Sequence, residues 1–204
     1  MTDVLVVFAK WPEPGRVKTR LAADVGAERA AALYRTMVES TLAEARSAWE
    51  ASRITVAFAP AERERDFAAW LGRDLGYRPQ GEGDLGERLA RATEAAFAAG
   101  AETVTVIGSD CPMLSGRLLE AAHTALEDGN FVIGPAQDGG YFLIGLPRRA
   151  PELFVDVPWS TPDVFAVTRA KLEEREWTVA LLPVLSDVDT ASDLPVWLAG
   201  PGPS

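Results

Sequence analysis

The sequence predicts an α/β fold: three α/β/α layers built on a mixed, mostly parallel sheet. Three observations lead there. Short β-branched runs alternate with longer stretches of helical period. Several of those runs are apolar on both faces, as strands covered by helices on both sides must be. One adjacent pair of runs is separated by too few residues for a crossover helix, so the sheet is expected to contain an antiparallel strand.

The strand candidates are residues 4–9, 54–59, 104–108, 131–135, 141–146 and 179–185. In the first helical stretch Leu33, Tyr34, Met37, Val38, Thr41, Leu42 and Ala45 recur on one face. A second opens at Asp84 with Glu87 three residues on, the signature of a capping box, and turns Leu85, Leu89, Ala92 and Ala96 inward. Ser115 is the expected cap of a third, and Thr161-Pro162 the expected start of a fourth. The short connection is Ala136-Gln137-Asp138-Gly139-Gly140, whose Asp-Gly is a hairpin signal. Residues 1–199 are expected to form a single domain, and 200–204, Gly-Pro-Gly-Pro-Ser, a disordered tail.

Composition narrows the function. The chain has 204 residues, 48% hydrophobic and 25% charged, which is ordinary globular usage. A formal charge of −10 opposes binding to nucleic acid or to an anionic membrane, whose phosphates would repel it. A single cysteine, Cys111, permits no internal disulfide and fits a reducing compartment, so a cytoplasmic location is expected. The single histidine, His123, excludes a histidine-rich metal site. The apolar run at 4–9 follows Asp3 and is too short for a signal-peptide core, and no run approaches a membrane span.

Against this acidic background, residues 10–20 carry Lys10, Arg16, Lys18 and Arg20 against Glu13. Pro12 and Pro14 exclude a helix there, and Gly15 allows close backbone approach to a ligand. If the segment is extended, Arg16, Lys18 and Arg20 point to one side. A basic loop at the carboxyl end of the first strand is where open α/β sheets bind ligands, and phosphate is its natural ligand. The strand at 104–108 runs into Ser109-Asp110-Cys111-Pro112. A carboxylate facing phosphates makes sense with a divalent cation between them, since Mg²⁺ is held by one or two carboxylates plus phosphate oxygens and water. Asp138 stands at the hairpin tip. Asp187 and Asp189, after the last strand, could each supply a metal ligand or cap a terminal helix. Trp11 and Trp159, in loops, could stack on a base or an acceptor, whereas Trp49, Trp70, Trp177 and Trp197 read as packing residues and His123 as structural. Gly81-Glu82-Gly83-Asp84-Leu85-Gly86 matches the dinucleotide fingerprint, but the residues before it are polar and include Pro79, where a buried strand is needed.

Six ordered segments carry a family resemblance. They are the loop from Phe8-Ala9-Lys10 through Pro12, Pro14-Gly15 and Val17-Lys18-Thr19-Arg20-Leu21; Gly83-Asp84-Leu85-Gly86-Glu87-Arg88; Gly108-Ser109-Asp110-Cys111-Pro112; Pro135-Ala136 with Asp138-Gly139-Gly140-Tyr141; Pro158-Trp159-Ser160-Thr161; and Asp187-Val188-Asp189-Thr190. Together they resemble the GT-A nucleotide-diphospho-sugar transferase superfamily, over residues 4–194. The nearest branch is similar to the small bacterial glycosyltransferase-like family called transferase 1, associated with radical-SAM and selenium-related proteins. Related members include molybdenum-cofactor, phospholactate and sugar-phosphate nucleotidyltransferases.

The resemblance implies a GT-A fold and a metal-dependent transferase that uses a nucleotide-activated donor. Glycosyl transfer from a nucleoside-diphosphate sugar to a small acceptor is the leading expectation. Nucleotidyl transfer from a triphosphate to a phosphorylated acceptor and a non-catalytic nucleotide-binding domain are the alternatives. Lys10, Pro14, Gly15, Lys18, Arg20 and Asp110 then form the nucleotide-binding set. Asp110 and Asp189 become the Mg²⁺ or Mn²⁺ ligands, with Asp187 the other choice for the late position. Lys18 and Arg20 would neutralise the departing phosphate and Asp138 would act as base. Gly139, Gly140, Tyr141 and Trp159 would meet the acceptor. The chain departs from the family in two places. Lys10-Trp11-Pro12 stands where nucleotidyltransferases have Ala-Gly-Gly, and Ser109-Asp110-Cys111-Pro112 holds one carboxylate of the usual Asp-x-Asp.

Overall fold

The computed structural model describes residues 2–194. Seven strands form one sheet: β1 Asp3–Lys10, β2 Ile54–Ala59, β3 Gly76–Pro79, β4 Thr103–Ile107, β5 Phe131–Pro135, β6 Tyr141–Leu146 and β7 Val179–Leu181. Their order is β3-β2-β1-β4-β6-β5-β7. β6 runs antiparallel to both of its neighbours, and every other pairing is parallel. The sheet is therefore mixed and mostly parallel.

Among the described residues six α-helices cover it: α1 Thr19–Val25, α2 Ala27–Ala48, α3 Glu64–Leu71, α4 Leu85–Ala98, α5 Gly116–Glu127 and α6 Val164–Glu174. Alternation along the strands divides the core into two layers. Leu5, Val7 and Ala9 of β1 join Ile54, Val56 and Phe58 of β2 against α2, α3 and α5. Val6, Ala57, Val104 and Val106 face the other way, against Leu89 and Phe97 of α4 and Leu172 of α6. The long apolar face on α2 is the expected one, with Tyr34, Met37, Val38, Thr41, Leu42 and Ala45 all buried.

Several boundaries differ from the sequence reading, each for a local reason. Residues 76–79, polar and absent from the strand candidates, form β3, a short, exposed edge strand, and an edge tolerates both Arg78 and the terminal Pro79. Being exposed, it is still no dinucleotide-binding strand. The last strand stops at Leu181 rather than 185: Leu182 N still donates to Ile133 O at 2.9 Å, but Pro135 has no N–H to continue the ladder, and pairing resumes only as an isolated bridge between Ala136 and Leu185. α6 begins at Val164; Thr161 Oγ1 instead donates to Pro158 O at 2.7 Å and accepts from Asp163 N at 3.3 Å, forming a turn ahead of the helix. Ser115 occupies the N-cap of α5 without a side-chain bond, and Glu44 Oε2 accepts from Gly116 N at 2.7 Å in its place. The Asp84–Glu87 capping box forms in both directions, at 2.9 Å each. The proposed tail at 200–204 and Trp197 lie outside the described residues.

Phe58 and Phe67 are fully buried with ring centroids 5.4 Å apart, joining β2 to α3. Phe58→Ala is expected to cost about 3–5 kcal/mol. Equilibrium urea unfolding checks this, and a loss of under about 1 kcal/mol would show that the α3 layer contributes little to stability.

Candidate functional site

Strand order reverses between β1 and β4: the chain first builds outward from β1 through β2 and β3, then returns to β1's other side. At such a switch point the loops beyond the strands' carboxyl ends diverge and leave a crevice. A cleft of about 780 Å³ lies there.

The loop after β1 forms one wall. Trp11 N donates to Ala59 O at 2.7 Å, which folds the chain over the end of β2, and Arg16 N donates to Glu13 O at 3.0 Å in a tight turn. Gly15 has φ +78°. Lys18 adopts φ 46° and ψ 50° as it enters α1, a left-handed conformation that costs a non-glycine residue on the order of 1 kcal/mol. The segment is thus a turn followed by a helix, and the extended, in-phase arrangement of Arg16, Lys18 and Arg20 is not formed. Arg16 is exposed and pairs with Glu13 at 3.4 Å. Lys18 is folded inward.

The Lys18 side chain is 5% exposed. Its Nζ lies 3.3 Å from Asp110 Oδ1 and 3.0 Å from Asp189 Oδ1, while Arg20 reaches Asp189 Oδ2 at 3.4 Å. Burial opposes the ammonium, but the Asp110 and Asp189 carboxylates outweigh it and raise Lys18 above its ordinary range. Residues far apart in sequence therefore share one buried cation.

Each partner is held by its own scaffold. Tyr34 Oη, from α2, accepts from Lys10 N at 2.9 Å and lies 3.0 Å from Ser109 Oγ, tying the carboxyl ends of β1 and β4 together. Burial pushes this hydroxyl's pKa up, and Asp110 adds to the shift. The late loop is fastened to β4, since Val188 N donates to Asp110 O at 3.1 Å and Cys111 Sγ to Ser186 O at 3.4 Å. Asp193 Oδ2 accepts from Asp189 N at 3.0 Å and Thr190 N at 2.7 Å, and Asp24 Oδ2 accepts from Ala191 N at 3.1 Å. These bonds orient Asp189. Cys111 is buried and its thiol is pushed up to about 12, so it is filler rather than nucleophile.

Asp187, beside them, is pushed up to about 7 by burial, then by the Asp138 and Asp110 carboxylates. Asp138 sits in the β5–β6 turn, where its Oδ1 accepts from Gly140 N at 2.8 Å. Gly139, at φ +89°, presses on Pro162, leaving no room for a Cβ, and its carbonyl accepts from Phe165 N at 2.9 Å. The turn therefore brings Asp138 against the 158–162 segment. Trp159 there lies on Gly86 and meets Tyr141 edge-on at 6.2 Å. Arg88, near the start of α4, donates through Nε to Gly83 O at 2.9 Å.

Of the residues singled out from sequence, Lys10, Lys18, Arg20, Asp110, Asp138, Gly140, Tyr141, Trp159 and Asp189 line this cleft. Pro14, Gly15 and Gly139 do not; they shape turns behind it. Trp11 packs edge-on against Phe67 and Trp70 at 5.4 and 5.6 Å, away from the cleft. Tyr34, Gln80, Arg88 and Asp187 also line it. Tyr34 and Gln80 carried no sequence signal, Tyr34 being read as helix packing.

A family model described as "Uncharacterized protein conserved in bacteria (DUF2064)" matches residues 41–161. The chain belongs to the DUF2064 family. This DUF2064 protein is similar, at 38% identity, to a Desulfovibrio desulfuricans G20 protein whose crystal structure is named a "putative nucleotide-diphospho-sugar transferase". The match covers 96% of this chain and 85% of that one, with a TM-score of 0.89. Two more distant structures share the fold. A CMP:2-keto-3-deoxy-manno-octonic acid synthetase complexed with CTP aligns over 98% of each chain at 14% identity and TM-score 0.61. Rv0371c of Mycobacterium tuberculosis H37Rv, in complex with manganese, aligns over 98% of this chain and 99% of that one at 17% identity and TM-score 0.58. No curated protein sequence matches.

The Tyr34 hydroxyl carries the link between the two loops. Tyr34→Phe is expected to destabilise by about 1–3 kcal/mol, because the Lys10 amide and Ser109 hydroxyl lose a buried partner. Denaturant unfolding measures this, and a change below about 0.5 kcal/mol would show that the link is dispensable.

Proposed function

We propose that this protein is a divalent-metal-dependent transferase that moves a glycosyl group from a nucleoside-diphosphate sugar to a hydroxyl of a small acceptor. One observation carries the reading: two carboxylates, Asp110 and Asp189, converge on the Lys18 ammonium in a cleft at the sheet's switch point, with Lys10, Arg16 and Arg20 on the same wall. A site of this kind suits a diphosphate. The relative named for nucleotide-diphospho-sugar transfer supports the substrate class, and the manganese complex of a protein sharing the fold supports the metal.

The donor set fits such a metal. Among the described residues no group of three or more His, Cys, Asp or Glu side chains forms a complete metal cage. Two hard oxygen donors beside a phosphate-binding wall are nevertheless the usual Mg²⁺ or Mn²⁺ arrangement, in which phosphate oxygens and water complete the shell. Asp110 and Asp189 would hold the ion. When bound it would neutralise charge on the diphosphate.

The chain's own groups do the rest. As the bond between the anomeric carbon and the diphosphate oxygen breaks, the electron pair leaves with the diphosphate, and Lys18 and Arg20 stabilise that growing charge. The acceptor oxygen bonds to the anomeric carbon and its proton passes to Asp138, whose neighbours Tyr141 and Trp159 would line the acceptor side. A nucleotidyl transfer to an acceptor phosphate would need no such base.

Two outcomes are expected. In a thermal-shift panel of nucleoside diphosphate sugars and triphosphates, a sugar nucleotide at 100 times its Kd with Mn²⁺ should add about 2.7 kcal/mol of stability, lost in Asp110→Ala. A shift with triphosphates alone would favour nucleotidyl transfer, and silence from the folded protein would reject a nucleotide donor. Asp138→Asn should lower kcat for glycosyl transfer by about 10²- to 10⁴-fold while keeping the donor's thermal shift. Unchanged kcat would remove Asp138 from the mechanism.

A further inference from the structure

The place where two metal-holding carboxylates would meet is filled by this chain's own cation. Lys18 Nζ bonds to Asp110 Oδ1 and Asp189 Oδ1 at once, and the side chain is 5% exposed although its neighbour Arg20 is 79% exposed. The burial is specific to the lysine. Its backbone is held in the left-handed region to send the side chain inward. Lysine suits a post that must be vacated, being a compact point charge on a flexible four-carbon stem, whereas an arginine fork would lock both carboxylates in one geometry.

We propose that Lys18 is a stand-in cation: it occupies the Asp110–Asp189 pair while the cleft is empty, and the divalent ion must displace it to bind. The inference rests on the reading of Asp110 and Asp189 as the metal-holding pair. It goes further by making metal and donor binding cooperative. A metal ion arriving alone takes both carboxylates that Lys18 Nζ contacts and brings no anion in exchange, so it binds weakly. A nucleoside diphosphate supplies that anion. Lys18 then moves from carboxylate to phosphate, the carboxylates are freed for the metal, and each ligand strengthens the other by the same factor. Occupancy by Lys18 keeps the two carboxylates, which are open to the cleft, from facing each other uncompensated in the empty enzyme.

Mn²⁺ titration followed by the electron paramagnetic resonance signal of the free ion tests this on wild type, Lys18→Met and Asp110→Asn, with and without UDP. Folded Lys18→Met should bind Mn²⁺ alone about tenfold more tightly than wild type, and UDP should tighten Mn²⁺ binding less in the variant than in wild type. Equal or weaker Mn²⁺ affinity in folded Lys18→Met, with binding lost in Asp110→Asn, would overturn the stand-in role and leave the metal reading intact. Binding insensitive to Asp110→Asn, or no binding to any of the proteins, would overturn both. Should Lys18→Met fail to fold, acetylation of wild-type amines read by mass spectrometry serves instead. Saturating Mn²⁺ should raise Lys18 modification severalfold against Lys10 and Lys171, and UDP added with it should protect Lys18 again. Lys18 labelling unchanged by saturating Mn²⁺ would overturn the proposal.

Discussion

A single buried ammonium organises the cleft. Lys18 could not remain charged at 5% exposure without anionic partners, because moving an ammonium out of water costs several kcal/mol. Its two partners come from the end of β4 and from the loop before residue 190, so the pairing is possible only if β1 and β4 are neighbours. The supporting details follow from this requirement. The left-handed backbone at Lys18 aims the stem inward, the Asp193 carboxylate gathers the amides of Asp189 and Thr190, and Tyr34 joins the two strand ends.

The topology also explains why Asp138 belongs to the same cleft. β5 runs in the same direction as β1 and β4, and β6 returns beside it, so the turn between them falls at the sheet's carboxyl edge. A crossover helix after β5 would have carried the chain to the opposite edge. The one antiparallel strand thus brings the Asp138 carboxylate within electrostatic reach of Asp187. Gly139 allows the approach, since its missing Cβ leaves space for Pro162, and the 158–162 segment with Trp159 closes over the far end.

Much of this was legible in the sequence because its signals are local. Short β-branched runs, several of them apolar on both faces, mark six of the seven strands, the Asp-Gly turn marks the antiparallel one, and the Asp84–Glu87 pair marks the start of α4. Lys18, Arg20, Asp110, Asp138 and Asp189 stood out because charged residues beside strand ends rarely serve the core. What escaped depends on partners. β3 is an edge strand whose outward side chains need not be apolar, so its four residues show no period. The loop after β1 has too few residues for its α1 continuation to show, and its lysine's inward turn depends on carboxylates far along the chain. Tyr34 looked like one more position on an apolar face; that its hydroxyl reaches two strand ends is a fact of packing. Trp11, in a loop, gave no sign that Phe67 and Trp70 would claim it.

Asp110, Asp138, Asp187 and Asp189 are chemically alike until their surroundings separate them. Asp110 and Asp189 lie 3.3 and 3.0 Å from the Lys18 ammonium, a placement that suits ligands for a cation. Asp187 lies in the buried part of the cluster, where desolvation and the like charges of Asp138, Asp110 and Asp189 hold its proton up to about 7. Asp138 stands at an exposed turn with a backbone amide orienting one oxygen, which leaves the other oxygen to meet an acceptor. The division of labour in the proposed reaction follows from these differences in solvation and partner. In the proposed reaction it also answers how a chain of charge −10 would receive a diphosphate: the positive charge need not be global, only gathered on the wall the phosphates would touch.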